Sequence, residues 1–135
     1  MQRKNLKTVN IINEDFEIIY THVQFNNSIR ATLEKAVKEN ISLGGAVITH
    51  ADLSEGDFRC ADFQGVDFTH STFEGADLRH ATFEFSDLVE TNFADANLQD
   101  VDFSFAMVNN INLTRANVQK VTMHSDATYT GTIIN

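Results

Sequence analysis

A cysteine, a histidine and an aspartate follow one another at intervals of twenty residues, the residue types of a nucleophile, a base and an orienting acid. They are Cys60, His80 and Asp100, with Lys120 next in the series. Nucleophilic catalysis requires the base to lie within hydrogen-bond distance of the thiol. If residues twenty apart are neighbours in space, each step spans about 4.8 Å between backbones. No oxyanion hole or pocket is evident around these residues, so we expect no catalytic site and no enzyme activity.

A second series with the same interval consists of His50, His70, Glu90 and Asn110. Two imidazoles and a carboxylate are ligands that a metal ion accepts. Stacked residues project in parallel and do not converge on a point, so we expect solvated surface residues and no metal site. The chain has no glycine-rich phosphate loop, CxxC or HExxH motif, and we expect no cofactor.

Both series belong to a pattern that returns every five residues from 41 to 125, seventeen times without a gap. The third residue of each unit is large and apolar, the first is small or β-branched, and the second is mostly Asp, Asn or Thr. A period of five matches neither an α-helix nor a strand. It predicts a solenoid in which the chain turns after each unit, with first and third residues pointing inward.

The pattern resembles the pentapeptide-repeat family, whose consensus is Ala-(Asp/Asn)-Leu-x-x. Close matches are Ala61-Asp62-Phe63, Ala76-Asp77-Leu78 and Ala96-Asn97-Leu98. The resemblance implies an all-β solenoid, namely a right-handed quadrilateral β-helix. Seventeen units correspond to a little over four coils of twenty residues, a rod of about 20 Å. Ala46-Val47-Ile48 and Ala106-Met107-Val108, near the two ends, lack the polar second residue.

The segments on either side of the repeat are expected to cap it, giving one folded unit. Residues 1–40 predict a β-hairpin with strands near 7–12 and 16–25, followed by a helix that begins after Ser28 and ends near Asn40. This segment resembles the leader found before the repeats in bacterial and phage members of the family. Residues 41–125 form the repeat, and residues 126–135 are expected to cover the other end as a strand or tail.

The charge of the chain is concentrated in the repeat. The 135 residues have a net charge of −9, and residues 1–40 alone have a net charge of +1. Direct binding to nucleic acid is therefore not expected. No stretch is apolar enough to span a membrane, and no signal region follows the first residues, so we expect a cytoplasmic protein. The second-position aspartates form a candidate acidic ladder: Asp52, Asp57, Asp62, Asp67, Asp77, Asp87 and Asp102.

One series of fifth positions is apolar where the others are polar. It consists of Gly45, Gly65, Phe85, Phe105 and Ser125. Phe85 and Phe105 should stack on the outside, with Met107 around the corner and Val89 on the same face as Met107. Neighbouring exposed apolar residues suggest a contact surface for a protein partner or for a homodimer. Alternatively, the N-terminal hairpin or the C-terminal tail covers this corner.

The sequence thus favours a non-enzymatic protein–protein interaction module, a rigid acidic solenoid with an unidentified partner. The family resemblance implies an alternative, a DNA mimic that inhibits or protects DNA gyrase or a related topoisomerase. The negative charge agrees with this alternative. A rod of about four coils is shorter than those proteins, and the repeat has no inserted loop.

Overall fold

The computed structural model describes residues 6–25, 27–124 and 127–131. It contains the hairpin and the helix that the sequence predicts, followed by a repeat region with very short strands. In chain order the elements are β1 (Leu6–Asn13), β2 (Ile18–Phe25), α1 (Ile29–Lys38), β3 (Ala46–Val47), β4 (Ile111–Asn112) and β5 (Tyr129–Thr130). No helix in the described ranges is both long enough and apolar enough to cross a membrane.

The hairpin turns at Asn13, whose side-chain Oδ1 accepts hydrogen bonds from the backbone N–H groups of Asp15 and Glu17 at 3.0 and 2.9 Å. Asparagine commonly forms such bonds to its own turn. Strands β1 and β2 pair antiparallel, and β1 also pairs antiparallel with β3 through Ile12 and Asn13. The hairpin is therefore joined to the beginning of the repeat by backbone hydrogen bonds.

Helix α1 begins at an N-cap, Ser28, whose hydroxyl oxygen accepts from the N–H of Ala31 at 3.1 Å. The helix buries Leu33 and Ala36 against the core of the repeat. A hydrogen bond also joins the exposed side of the helix to the repeat, because Arg30 donates to the backbone carbonyl of Ser54 at 3.0 Å. The buried side of this helix therefore lies against the repeat.

Parallel bridges join residues twenty apart throughout the repeat, from Val47–Asp67 to Asp102–Thr122. The N–H of Thr72 donates to the carbonyl of Ala51 at 2.9 Å, and the N–H of Leu53 donates to the carbonyl of Thr72 at 2.8 Å. We call each twenty-residue turn of the chain a coil. Most of this pairing consists of single-residue bridges, because the chain turns after every five residues.

Most units end in a β-turn that their own second residue stabilises. In the turn after Phe58, the N–H of Ala61 donates to the carbonyl of Phe58 at 3.1 Å, and Cys60 at the fifth position has a φ of 59°. Type II turns require a positive φ there. In the following unit, Asp62 Oδ1 accepts from the N–H of Gln64 at 3.1 Å. The polar second position is thus explained by the geometry of the turn.

The first and third residues of the units point inward, as predicted, and fill the interior. Seven phenylalanines at third positions are completely buried, and their rings contact one another within and between coils. They are Phe58, Phe63, Phe68, Phe73, Phe83, Phe93 and Phe103. At the other end of the repeat, β5 pairs parallel with β4. The rest of the predicted tail, residues 126 and 132–135, lies outside the described residues.

Candidate interaction surface

Phe85 and Phe105 stack on the outside of the repeat. Their ring centroids are 5.0 Å apart and their planes differ by 8°. The two residues are 57% and 63% exposed, and Met107 nearby is 54% exposed. Val89 is partly exposed. We call Phe85, Phe105 and Met107 the aromatic corner.

The predicted alternative was that another part of the chain covers this corner. The hairpin pairs with β3 at Ala46–Val47 and leaves both rings more than half exposed. His124 contacts only the far side of the pair: its ring lies 5.4 Å from that of Phe105 at 61°, and its Nε2 accepts from the backbone N–H of Phe105 at 2.6 Å. Within the described ranges, the aromatic corner therefore faces solvent.

The backbone of the corner is unusual for phenylalanine. Both Phe85 and Phe105 have a φ of 58°, in the left-handed region that bulky residues rarely adopt. The left-handed conformation costs roughly 1–2 kcal/mol per residue. The other non-glycine fifth positions of the described repeat have polar side chains or, at Cys60, a thiol. Strained residues of this kind cluster at functional sites.

His124 is a component of this surface that the sequence analysis does not predict. The acceptor role of its Nε2 requires that this nitrogen have no proton. The sequence contains a signal for this contact, because His124 stands nineteen residues after Phe105. From His50 to Asp100, the backbone N–H of each fifth-position residue donates to the carbonyl of the residue nineteen positions later.

The second-position aspartates of the candidate acidic ladder do not lie in a single column. The bridges place them in four separate columns: Asp52 alone, Asp57 with Asp77, Asp67 with Asp87, and Asp62 with Asp102 two coils later, with Thr82 between them. Each of them accepts a hydrogen bond from the N–H two residues later. Asn92 and Thr72 do the same in their own units. At these positions a neutral oxygen therefore accepts the same hydrogen bond as a carboxylate, and the charge is not needed for the turn.

Two of these carboxylates are also paired with arginines. Arg59 donates from Nε and Nη2 to the two oxygens of Asp57, both at 2.8 Å, and Arg79 pairs with Asp77 in the same way at 2.9 and 2.6 Å. These bonds lower the pKa of Asp57 to about 2 and also lower the pKa of Asp77. This side of the repeat is therefore partly neutralised.

The opposite charge pattern surrounds the aromatic corner. Residues 61–70, 81–90 and 101–110 lie above one another in successive coils, and they contain no lysine or arginine. We call them the cation-free surface. Its acidic residues are Asp62, Asp67, Glu84, Asp87, Glu90 and Asp102. All four basic residues of the repeat, Arg59, Arg79, Arg115 and Lys120, lie in the other columns. Comparison of residues at intervals of twenty would have revealed this separation in the sequence.

Within the described ranges, the series that begins at Cys60 and the series that begins at His50 form only pairwise contacts. His80 Nδ1 lies 3.6 Å from Asp100 Oδ2, while Cys60, which is exposed, makes no hydrogen bond to His80 in the described structure. The rings of His50 and His70 stack at 4.9 Å, and His70 Nδ1 lies 2.8 Å from Glu90 Oε2. Among the described residues, no three His, Cys, Asp or Glu side chains are arranged to hold a metal ion.

Comparison with known proteins agrees with the repeat pattern. A family model described as the pentapeptide repeat region matches residues 57–128, more than half of the chain. A solved pentapeptide-repeat protein from the thylakoid lumen of Arabidopsis thaliana is 32% identical, with a TM-score of 0.58 over 62% of this chain and 58% of that one. A search of curated proteins gives no match.

Two cyanobacterial structures are also similar. A pentapeptide-repeat protein from Cyanothece 51142 is 16% identical, with a TM-score of 0.50 over 69% of this chain and 66% of that one. HetL from Nostoc, a pentapeptide-repeat protein involved in heterocyst differentiation regulation, is 25% identical, with a TM-score of 0.36 over 60% and 42%. This chain therefore spans less than two thirds of the length of each of these proteins.

Proposed function

Because this chain belongs to the pentapeptide-repeat family, we propose that it is a non-enzymatic module that binds another protein through the aromatic corner. The observation on which this proposal depends is the stacked, exposed pair Phe85 and Phe105 on a left-handed backbone. Exposed aromatic residues of this size are characteristic of contact surfaces, and aromatic residues dominate the binding energy of many interfaces.

We also propose the handedness, the number of coils and the caps of the repeat. The repeat is a right-handed quadrilateral β-helix of about four coils. The hairpin and helix α1 cap its beginning, and β5 covers part of its other end. Bridges between residues twenty apart support the coil length, and the pairing of β1 with β3 supports the N-terminal cap. Such caps protect the open strand edges and core residues of a solenoid.

The cation-free surface favours a heterologous partner over a homodimer. A symmetric dimer through the aromatic corner brings the same acidic residues of two copies together, among them Glu84, Asp87 and Asp102. Like charges that face each other across an interface oppose association. A partner with basic residues around an apolar depression is attracted by this surface instead.

The test is affinity purification with wild-type protein and with the double variant Phe85→Ser/Phe105→Ser, followed by measurement of affinity for the purified partner. The variant is expected to lose at least tenfold in affinity while its circular dichroism spectrum and thermal unfolding stay close to wild type. The control is His80→Ser, which changes an exposed fifth-position ring in a column outside the cation-free surface. Equal affinity of both variants contradicts the proposed surface.

The same proteins also test self-association. Sedimentation velocity should give a monomer mass over the working concentration range, for wild type and variants alike. A dimer that dissociates in the Phe85→Ser/Phe105→Ser variant identifies the corner as a homodimer interface and contradicts the heterologous partner.

The negative charge favours one alternative, a DNA-mimic inhibitor or protector of DNA gyrase or a related topoisomerase. The net charge of −9 and the cation-free surface support it. The pairing of Asp57 and Asp77 with arginines opposes a uniform, DNA-like charge around the rod. A gyrase supercoiling assay at micromolar protein, with and without a quinolone, distinguishes the two functions. Unchanged supercoiling and unchanged quinolone inhibition eliminate the DNA mimic.

A further inference from the structure

The aromatic corner has an open notch on one side. In this column the residues are Gly45, Gly65, Phe85 and Phe105. Phe105 covers one face of the Phe85 ring, and the residues twenty and forty positions before Phe85 have no side chains. The resulting notch encloses about 390 Å³ and is lined by Phe85, Gly65, Gly44, Gln64 and Asp62, among others.

The glycines leave real space in this notch. A Cβ atom on Gly45 would meet no heavy atom within 4 Å, and one on Gly65 would meet only backbone atoms at 3.8 Å or more. Both residues have a positive φ, of 81° and 72°. Equivalent positions in this chain accept larger side chains with a positive φ, for example Asn110 at 54°. A side chain would therefore fit at Gly65, and its absence is what keeps the notch open.

The polar wall of the notch is negatively charged. Asp62 is exposed, and its Oδ1 accepts from the N–H of Gln64 at 3.1 Å. Its Oδ2 accepts no hydrogen bond from the described residues. The notch belongs to the cation-free surface, so no lysine or arginine of the neighbouring coils neutralises this carboxylate.

We propose that the notch formed by Phe85, Gly65 and Asp62 binds an arginine side chain of the partner protein. The free face of the Phe85 ring attracts a cation, and a planar guanidinium can stack on that ring. In that position its N–H groups lie toward the carboxylate of Asp62, whose free oxygen accepts a charge-assisted hydrogen bond. A lysine ammonium lacks the planar group that stacks on the ring. This inference rests on the proposed function, since the arginine belongs to the protein bound at the aromatic corner.

The test is an NMR titration of the ¹⁵N-labelled full chain with the peptide acetyl-Gly-Arg-Gly-amide, in which citrulline and lysine peptides of the same length serve as controls. A single side chain is expected to bind with a dissociation constant on the order of 10 mM. Saturable shifts should appear at the amides of Gly44, Gly65 and Gln64 and at the ring protons of Phe85. Citrulline, a neutral isostere of arginine, should give no saturable shift, and lysine should bind at least threefold more weakly.

Two variants test the assignment of the site. Gly65→Asn fills the notch with a residue that adopts a positive φ and should abolish saturation. Asp62→Asn removes the charge, retains an acceptor for the N–H of Gln64, and should weaken binding severalfold. The control is Gly75→Asn in another column, where only the end of the flexible Glu55 side chain must move. Its titration should match wild type.

Three results overturn the proposal: equal binding of arginine and lysine peptides, an unchanged titration of Gly65→Asn, or shifts spread evenly over the acidic residues of the cation-free surface. Partner binding by the variants distinguishes an error in the arginine site from an error in the proposed function. If Gly65→Asn binds the purified partner like wild type while Phe85→Ser/Phe105→Ser does not, only the arginine site is wrong. If the peptide titration succeeds but the double serine variant retains full partner affinity, the notch binds arginine but the partner does not use the aromatic corner, and the proposed function is wrong.

Discussion

The buried hydroxyl of Ser71 accepts a hydrogen bond from the backbone N–H of Ala51, in the preceding coil, at 3.0 Å. The same hydroxyl donates to the carbonyl of Ile48 at 2.6 Å. In other turns of the repeat the first-position N–H donates directly to the third-position carbonyl, as Ala61 does to Phe58. Ser71 is therefore inserted into the turn between Ile48 and Ala51 and joins two coils.

Replacement of Ser71 by alanine should destabilise the protein by about 1–3 kcal/mol, because it leaves a buried N–H and a buried carbonyl without this partner. The measurement is urea unfolding followed by circular dichroism. The control is Ser86→Ala, since the Ser86 hydroxyl donates only to the carbonyl of Phe83, which also accepts from the Ser86 N–H. That variant should lose less than about 1 kcal/mol. Equal losses would show that Ser71 does not join the coils.

Truncation of a core ring should be much more damaging. Phe73 is completely buried and its ring is stacked on that of Phe93 at 5.3 Å. The Phe73→Ala variant should lose on the order of 3–5 kcal/mol in unfolding free energy, because it removes buried apolar contacts and leaves a cavity. Urea unfolding measures this loss. A loss below about 1 kcal/mol would contradict a close-packed interior.

Replacement of Phe85 by asparagine should change stability little, although it removes a large aromatic ring. The lost stack with Phe105 contributes about 0.5–1.5 kcal/mol. Relief of the strained left-handed backbone offsets much of this, because asparagine adopts that conformation more readily than phenylalanine. The net change in unfolding free energy should lie within about 1 kcal/mol, measured by urea unfolding beside Phe73→Ala. A loss as large as that of Phe73→Ala would show that Phe85 is part of the core.

The carboxyl of Asp57 should titrate at unusually low pH. Hydrogen bonds from Arg59 lower its pKa from 3.8 to about 2. Because this pKa is lower in the folded state, the stabilisation is complete above the ordinary value of 3.8 and is lost as pH falls towards 2. Both side chains are about half exposed, so the effect on stability is small.

Carboxyl ¹³C NMR measures this pKa directly. The Arg59→Gln variant should raise the pKa of Asp57 towards its ordinary value. Arg115→Gln is the matched control: it removes the partner of Asp95 and should leave Asp57 unchanged. An unchanged Asp57 pKa in Arg59→Gln would mean that the ion pair does not form in solution.

Much of the fold was predictable because its main signal is local. In every five-residue unit the third residue is large and the first is small. This predicts that both point inward and that the chain turns after each unit, and the buried phenylalanines confirm the inward direction. The hairpin, helix α1 and its N-cap Ser28 were equally visible in short stretches of sequence. The twenty-residue interval also sufficed to predict the stack of Phe85 on Phe105.

The sequence by itself determined the family, the period and the division into inward and outward residues, because each depends on residue types a few positions apart. Only the tertiary structure decided which contacts the outward side chains make. It placed Arg59 on Asp57, joined His124 to Phe105 and left the notch beside Phe85 open. These relationships depend on side-chain conformations and on contacts between coils twenty residues apart, which no local pattern specifies.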